Sequence, residues 1–316
     1  MHLAVYLPLL LPLLAFPGAR MLTEHCEPRL ASWLSAGSAL VLGAASTLSL
    51  ALLASTWLVR SPLPAFLGHR PLGPAGQHLP ARLPVAVAAA ALLAVAAVGV
   101  LRLLVRRVRA LAAATLDAAC MPTRDGTVIV DDPAPDAFAL PGLPGRIVVS
   151  TGMLRTLDRA EHEILLAHER AHLTGHHYLF VALAQLGAAA NPLLRPLAHA
   201  VTYTLERWAD EHAATATGDR RRVARAVGRA ALATRHSRAR GGLPPAALGL
   251  LGRRRNPLRG AGPVPRRVAA LLAPPVTHRL LPALATALVL AAATCSVAEA
   301  AHDLHRLLEQ LRALNG

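Results

Sequence analysis

Aromatic residues are scarce in this chain. Phe, Trp and Tyr together make up 3% of its 316 residues, whereas hydrophobic residues of all kinds make up 54%. A soluble two-domain enzyme of this length carries more aromatic residues and less apolar sequence. The composition therefore predicts a membrane protein.

Cysteine occurs only as Cys26, Cys120 and Cys295, which are far apart in the sequence. This spacing excludes a disulfide framework and a zinc site built from cysteines. Any metal site in the chain must use other side chains.

Lysine is absent, so the positive charge is all arginine. The 33 basic residues exceed the 18 acidic ones and give a net charge of +15. A uniform replacement of lysine by arginine is typical of a coding bias rather than of phosphate recognition. The placement is informative, because 26 arginines but only 13 acidic residues lie between Arg102 and Arg279. Since cytoplasmic loops of membrane proteins are rich in basic residues, we expect this segment in the cytoplasm.

Four windows approach the roughly 20 apolar residues needed to cross a membrane. They are Leu3–Phe16, Trp33–Val59, Leu83–Leu104 and Leu280–Val297. The first window is short and contains Pro8 and Pro12, so a cleaved signal peptide is the alternative. It lacks Arg or Lys before the apolar run and a small-x-small cleavage site after it, which favours a retained span.

These windows predict a multi-pass protein of the cell membrane in three parts: a module with three spans (1–105), a cytoplasmic segment (106–275), and a fourth span with a short tail (276–316). With the basic segment inside, both termini are extracytoplasmic and the loop 60–82 lies outside. The tail from Ala301 to Leu314 is predicted as a short amphipathic helix.

The cytoplasmic segment combines helices with short strands, so we expect an α-rich α+β fold. Thr127–Val130 and Arg146–Ser150 are β-branched runs, and the Pro/Gly/Asp-rich stretch between them predicts two strands joined by a long loop. Helices are predicted from about Thr202 to Thr217 and from Arg221 to about Arg235. The apolar stretch from Tyr178 to Leu194 predicts a buried or membrane-apposed helix that ends near Asn191.

One helix of this segment has well-marked ends. Asp158 and Glu161 form the pattern of a capping box, and Gly175 offers a stop. Between these signals lies the pentapeptide His168-Glu169-Arg170-Ala171-His172. Two histidines one helical turn apart can hold a zinc ion, and Glu169 can face the water that zinc activates and take its proton. The alternative is that both are ordinary residues in a chain with 15 histidines.

A catalytic zinc ion needs a third protein ligand. Glu206 is the best candidate, because Asp210 one turn later can accept a hydrogen bond from a ligand histidine. Tyr178 stands where a metzincin has its third histidine, which disfavours that class. His176 and His177 lie just past the helix and are predicted to be solvent-facing loop residues, with an approach to the metal as the alternative.

The segment 166–173 followed by Glu206-Arg207-Trp208-Ala209-Asp210 resembles the gluzincin membrane peptidases of the BlaR/MecR antirepressor family and the related HtpX/Ste24 peptidases. The stretches 136–142 and 147–154 resemble the strand segments before the metal helix in those families. Three spans, a cytoplasmic peptidase segment and a fourth span are the layout of the BlaR/MecR group. The resemblance covers most of the chain to Val297.

This resemblance implies one Zn²⁺ per chain, held by His168, His172 and Glu206. It also implies Glu169 as general base and Asp210 as the carboxylate behind a ligand histidine. Substrate would pair with the strand region formed by Ala137, Phe138 and Ala139. The sensing members carry a C-terminal penicillin-binding domain, which is lacking up to Gly316, so we expect activation through the spans, the loop 60–82 or a partner.

The expected function is an integral membrane zinc endopeptidase that cleaves a protein substrate at the cytoplasmic face, most plausibly a transcriptional repressor. A membrane quality-control peptidase and a non-catalytic membrane sensor or scaffold are the alternatives. Arg253-Arg254-Arg255 and Arg266-Arg267 precede the fourth span without interleaved aromatics, so we expect them to contact membrane lipid rather than nucleic acid. The sequence does not indicate an oligomeric state.

Overall fold

The computed structural model describes residues 4–60, 83–121, 123, 125–142, 144–239, 263–275 and 280–315. Its helices are α1 (Leu7–Leu10), α2 (Ala15–His25), α3 (Pro28–Arg60), α4 (Leu83–Cys120), α5 (Thr151–Thr156), α6 (Arg159–Thr174), α7 (His177–Ala190), α8 (Arg195–Thr217), α9 (Arg220–Ala239), α10 (Pro263–Leu272) and α11 (Leu280–Asn315), with 3₁₀ turns at Leu11–Leu14 and Pro192–Leu194. The strands are β1 (Thr127–Val130), β2 (Ala137–Leu140) and β3 (Arg146–Ser150).

Three of the described helices are long and apolar enough to cross a membrane: Pro28–Ser55, Leu83–Cys120 and Leu280–Asp303. The first predicted window instead runs through α1, a 3₁₀ turn and the start of α2. Pro12 has no N–H to donate to the carbonyl of Pro8, and that carbonyl accepts the hydroxyl of Ser46 at 3.0 Å. A membrane span in the first window therefore stays a prediction.

The C-terminal tail differs from its prediction. Residues 301–314 continue α11 without a break, so the tail and the last apolar window form one helix, Leu280–Asn315. Residues between the two have high helix propensity and include neither proline nor glycine, which explains the continuity. The loop 60–82, apart from residue 60, and Arg253–Arg255 lie outside the described residues.

The sheet contains a strand, β2, in the stretch where the pattern of β-branched residues predicted a loop and the family resemblance implied a strand. β1 and β3 have the predicted bounds, but β2 lies between them in sequence, and the strand order is β1-β3-β2. β3 pairs with β1 in parallel and with β2 in antiparallel orientation. The N–H of Ser150 donates to the carbonyl of Asp136 at 2.9 Å. Because bonded and non-bonded pairs alternate in antiparallel strands, Ala137 and Ala139 direct their backbone groups to the unpaired edge of β2.

The predicted buried helix after Tyr178 is confirmed as α7, which packs along the first half of α3. The rings of Trp33 and Phe180 meet edge to face at 4.7 Å, at the starts of these two helices. Further along, a Cβ added to Gly43 would lie 2.8 Å from the Cα of Gly187, so the two backbones touch. The segment that follows the pentapeptide is therefore packed directly on an apolar helix of membrane-spanning length.

Candidate metal centre

The helix that carries the pentapeptide begins and ends as predicted. Asp158 accepts the N–H of Glu161 at 2.9 Å, and Glu161 accepts the N–H of Asp158 at 3.0 Å, which completes the capping box. Gly175 is the C-cap. α6 is thus fixed at both ends, and one turn of helix separates His168 from His172.

Three side chains converge on one point. The Nε2 atoms of His168 and His172 are 3.2 Å apart, and each lies 3.9 Å from a carboxylate oxygen of Glu206 on α8. A tetrahedral zinc ion with Zn–N bonds of ~2.0–2.1 Å separates two ligand nitrogens by about 3.3 Å. The histidine pair has this spacing, and the carboxylate needs a movement of only a few tenths of an ångström. The two imidazoles and the carboxylate therefore fit a zinc ion, and among the described residues they form a group that could hold a metal ion.

Asp210 lies behind the first histidine. Its carboxylate is 3.1 Å from Nδ1 of His168 and only 1% of the residue is exposed. An N–H on Nδ1 that donates to this carboxylate leaves the lone pair of Nε2 free to face the metal position. The second carboxylate predicted from the Glu206/Asp210 spacing thus has the contact that its predicted role requires.

The prediction for Arg267 was wrong. The residue was predicted to contact lipid head groups, but it is 9% exposed and its guanidinium lies in the metal centre. Nε and Nη2 donate to both oxygens of Asp210 at 2.7 and 2.6 Å, and Nη1 donates to Glu206 at 2.6 Å. Helical spacing carried a signal, because Val264, Arg267, Val268 and Leu271 share one face of α10 and the other three are apolar. Arg266 is exposed and stacks on Tyr203.

The guanidinium controls the charge of both carboxylates. Burial raises the pKa of Glu206, but the charge of Arg267 and, to a smaller extent, the neighbouring His172 and His168 outweigh burial and bring the pKa to about 2. The pKa of Asp210 lies well below its ordinary value, because Arg267 and His168 outweigh the effect of burial. Burial lowers the pKa of Arg267, but the same two carboxylates raise it to a net value above the ordinary one. Glu206 and Asp210 are therefore ionised at neutral pH, which suits a metal ligand and its supporting acceptor.

The carboxyl of Glu169 lies in a different environment. The residue is 8% exposed, and burial raises its pKa to about 7, an effect that the neighbouring charge of His168 and a backbone hydrogen bond from Ala139 partly offset. A group with this pKa exchanges protons readily near neutral pH. Ala139 belongs to β2, so the unpaired edge of the sheet runs beside Glu169.

The histidines of the pair differ in their protonation. Burial lowers the pKa of His168, but the hydrogen bond and charge of Asp210 raise it to a net value above the ordinary one. Burial and the neighbouring His168 lower the pKa of His172 to about 4. His172 is therefore neutral at physiological pH, as a metal ligand must be.

His177 is buried, so its prediction as a solvent-facing residue was wrong. It is the first residue of α7, it is 2% exposed, and its Nδ1 lies 2.8 Å from Nδ1 of His172. Burial and, to a smaller extent, the neighbouring His172 lower the pKa of His177 to about 3. His176 is exposed, as predicted. The spacing of His177, Phe180, Val181 and Ala184 along one buried face of α7 was the signal that the sequence analysis did not use.

The predicted substrate strand contributes its backbone more than its side chains. Ala137 and Ala139 direct backbone groups to the unpaired edge, whereas Phe138 packs against a cluster that includes Ala114 and Val148. A peptide that lies along this edge passes over Glu169. The structure thus brings the strand, the carboxyl and the metal-binding group together.

Comparison with known proteins finds a peptidase family that part of the chain resembles. Residues 103–194 match the model of Peptidase family M48. A stretch of 95 residues is 36% identical to a protein described as "Protease HtpX homolog" of Pelodictyon phaeoclathratiforme (strain DSM 5477 / BU-1), which covers 29% of this chain and 33% of that protein. The chain thus spans about a third of the length of the curated relative it matches. No solved structure matches the chain.

The family match covers part of the chain and shows the similarity of that part to a metallopeptidase of the M48 type. It includes the end of α4, the sheet, α6 and α7, and therefore the pentapeptide and His177. It ends before Glu206, Asp210 and Arg267. These three residues join the site through the fold of this chain, in which α8 and α10 bring them to the pentapeptide. A BlaR/MecR type in particular is not part of the match.

Proposed function

We propose that this chain is an integral membrane zinc endopeptidase that holds one zinc ion and cleaves proteins at the cytoplasmic face of the membrane. The observation that carries the proposal is the convergence of His168, His172 and Glu206, with the buried carboxyl of Glu169 beside them. The similarity of residues 103–194 to Peptidase family M48 supports the same chemistry.

Each residue has a distinct role in this reaction. When bound, zinc supplies a Lewis acid that acidifies water and polarises the scissile carbonyl. His168 and His172 would hold it through Nε2, and Glu206 would hold it through its carboxylate. Glu169 takes the proton of the attacking water and delivers it to the leaving amine.

Two further groups hold this arrangement. Asp210 fixes the orientation of His168, and Arg267 keeps both Asp210 and Glu206 ionised and in place. The substrate backbone pairs with Ala137 and Ala139 at the edge of β2 and is thereby held across Glu169.

The position of α7 supports cleavage close to the membrane. α7 begins two residues after α6 ends, and it packs against α3 from the start of that helix. Gly99 of α4 lies at the other end of α7, where an added Cβ would be 3.2 Å from the carbonyl of Ala189. α3 therefore begins, and α4 ends, on the side of the metal centre. This arrangement agrees with the charge distribution that puts the loop before α3 and the segment after α4 in the cytoplasm.

A transcriptional repressor is the substrate that the BlaR/MecR-like layout favours. If a small winged-helix repressor is encoded beside this gene, its cleavage supplies the direct test. In membranes that contain the wild-type chain we expect cleavage of that repressor, and in membranes with Glu169→Gln we expect none. Cleavage of unfolded membrane proteins but not of the repressor would support the quality-control alternative.

The enzymatic proposal is tested with the full chain in detergent, by zinc analysis and by cleavage of a fluorescent, unfolded protein. Glu169→Gln keeps the shape of the side chain but not its basicity, so we expect one zinc per chain and a roughly 100-fold or greater loss of kcat. His172→Ala is expected to lose zinc as well as activity. Glu163→Gln is the matched control, because Glu163 is exposed on the same helix and should behave as wild type. Equal rates for the Glu169 variant and wild type would exclude the mechanism.

A further inference from the structure

The second histidine of the metal-binding pair has a neighbour of its own. His172 directs Nε2 toward His168 and Glu206, and its other nitrogen, Nδ1, faces Nδ1 of His177 at 2.8 Å. His177 therefore lies on the side of His172 that is remote from the metal position. It is excluded as a metal ligand in this arrangement, but it contacts the ring of one.

The contact fixes which nitrogen carries the proton. If Nε2 of His172 presents a lone pair to a metal ion, its neutral ring carries the hydrogen on Nδ1. That N–H then donates to Nδ1 of His177, which must accept and must carry its own hydrogen on Nε2. No acid or hydroxyl among the described residues competes for the hydrogen bond of the His177 ring at Nε2, because that atom is buried and has no hydrogen-bond partner there.

The surroundings hold the ring of His177 in this position. A Cβ at Gly175 would lie 2.6 Å from its Nε2, so only glycine leaves room for the imidazole at this place. The ring of Trp208 lies against it with a centroid distance of 4.6 Å. His176 turns the chain between α6 and α7 with a left-handed φ of 49°, which directs the next side chain back toward α6. The chain thus accepts a strained residue and requires a glycine to seat this imidazole.

We propose that His177 is a positioning residue of the metal centre, whose neutral imidazole accepts the Nδ1–H of His172 and holds that ring with Nε2 facing the metal ion. This inference rests on the proposed zinc peptidase function and extends it to a residue outside the pentapeptide. The two histidine ligands then have different supports: a carboxylate, Asp210, for His168 and an uncharged ring for His172. The uncharged support adds no further negative charge to a centre that already contains Glu206 and Asp210.

The test measures zinc affinity of the full chain in detergent by competition with a chromogenic chelator. His177→Phe keeps a ring of similar shape against Trp208 but removes the acceptor. His177→Asn keeps an acceptor where Nδ1 stands, and His177→Gln moves the acceptor to where Nε2 stands. His176→Asn is the control next door, because asparagine tolerates the left-handed backbone and the residue is exposed.

We expect the Phe and Gln variants to bind zinc roughly 10- to 100-fold more weakly than wild type, and the Asn variant to stay within about threefold. The visible absorption spectrum of the Co²⁺-loaded protein should change in the Phe and Gln variants only. The metal-free Phe variant should unfold at the denaturant concentration of metal-free wild type, since its packing is retained. If His177 merely filled space, the Phe variant would bind zinc like wild type and the Asn variant would bind it more weakly. If the Phe variant does not fold, the Asn and Gln pair decides the question in the same way.

Wild-type affinity in the Phe and Gln variants would overturn the inference, and so would an Asn variant as weak as Phe. These outcomes are distinct from a failure of the proposed function. If the proposed function were wrong, wild type itself would hold no zinc, or Glu169→Gln would cleave substrate at the wild-type rate. Wild-type zinc content with normal cleavage, together with unchanged His177 variants, would remove only the role of His177.

Discussion

Arg267 donates hydrogen bonds of 2.7 and 2.6 Å to the two carboxylate oxygens of Asp210, and both residues are at least nine-tenths buried. The same guanidinium reaches Glu206 at 2.6 Å. A cation on α10, just ahead of α11, therefore neutralises charge around the metal-binding group on α6 and α8. Removal of one partner from a buried ion pair leaves an uncompensated charge, which is the most destabilising change such a pair can suffer.

Arg267→Met is therefore expected to lower the free energy of unfolding of the metal-free protein by roughly 3–5 kcal/mol. Arg266→Met is the matched control on the next residue. It removes only a stacking contact with Tyr203 at an exposed position, so its effect should stay below about 1 kcal/mol. Chemical denaturation in detergent measures both. Equal effects of the two substitutions would contradict the assignment of Arg267 to the metal centre.

Glu169 makes stability depend on pH with a definite sign. Its pKa is about 7 in the metal-free fold and about 4.5 in the unfolded chain. Both states are protonated well below pH 4.5, so burial of this group has no ionic cost there. As pH rises, the unfolded chain loses its proton first, and the fold is progressively destabilised until pH exceeds 7.

Glu169→Gln removes this effect. We expect the metal-free variant to exceed wild type in unfolding free energy by less than about 1 kcal/mol at pH 5 and by about 3 kcal/mol at pH 8. Denaturation at the two pH values, with Glu163→Gln in parallel, provides the measurement. A difference that does not grow between pH 5 and pH 8 would show that the carboxyl of Glu169 is not desolvated.

The contact between α3 and α7 depends on glycine at both sides. Gly43→Ala would set a Cβ 2.8 Å from the Cα of Gly187 and force the helices apart, at a cost of about 1–3 kcal/mol. Gly37→Ala lies on the same helix with nothing within 4 Å of the new Cβ, and alanine favours a helix by roughly 0.5–1 kcal/mol. Thermal unfolding in detergent should thus move in opposite directions for the two variants. A neutral Gly43→Ala would mean that α7 is not held against α3.

The edge of β2 is expected to bind substrate through its backbone. Ala137→Pro removes an N–H that points away from β3, a position where an edge strand tolerates proline. The loss of one hydrogen bond should lower kcat/KM for a long peptide roughly threefold to tenfold. Zinc content and unfolding temperature should not change, which separates this effect from damage to the fold. An unchanged kcat/KM would place the substrate elsewhere.

Local signals in the sequence predicted the elements whose ends and faces they encode. The capping box at Asp158 and Glu161, the stop at Gly175 and the β-branched runs of β1 and β3 are confirmed. Each depends on residues only a few positions apart. The pattern of β-branched residues did not predict β2, which only the family resemblance implied. Its four residues lie in a stretch rich in proline and aspartate, and its strand conformation depends on pairing with β3.

The parts of the site that were missed come from distant segments. Arg267 reaches Asp210 across 57 positions in the sequence, and nothing near Arg267 indicates the partner. An Arg-Arg pair ahead of an apolar window favoured contact with lipid, although the apolar face of α10 already included Arg267. His177 was missed for a related reason, since the sharp turn at His176 reverses the chain and returns the next side chain to the metal helix.

Among the described residues, β2 leaves one edge of a three-stranded sheet without a partner strand beside Glu169. A fourth strand can be supplied only by a chain whose own backbone groups are free, and a segment already in a helix or in the interior of a sheet has none to offer. A substrate segment must therefore have a free, extended backbone before its sequence can be recognised at this edge. How fast a target is cut then depends on how often the segment around the scissile bond opens, so a change that stabilises the target protects it even when the cleavage site is untouched.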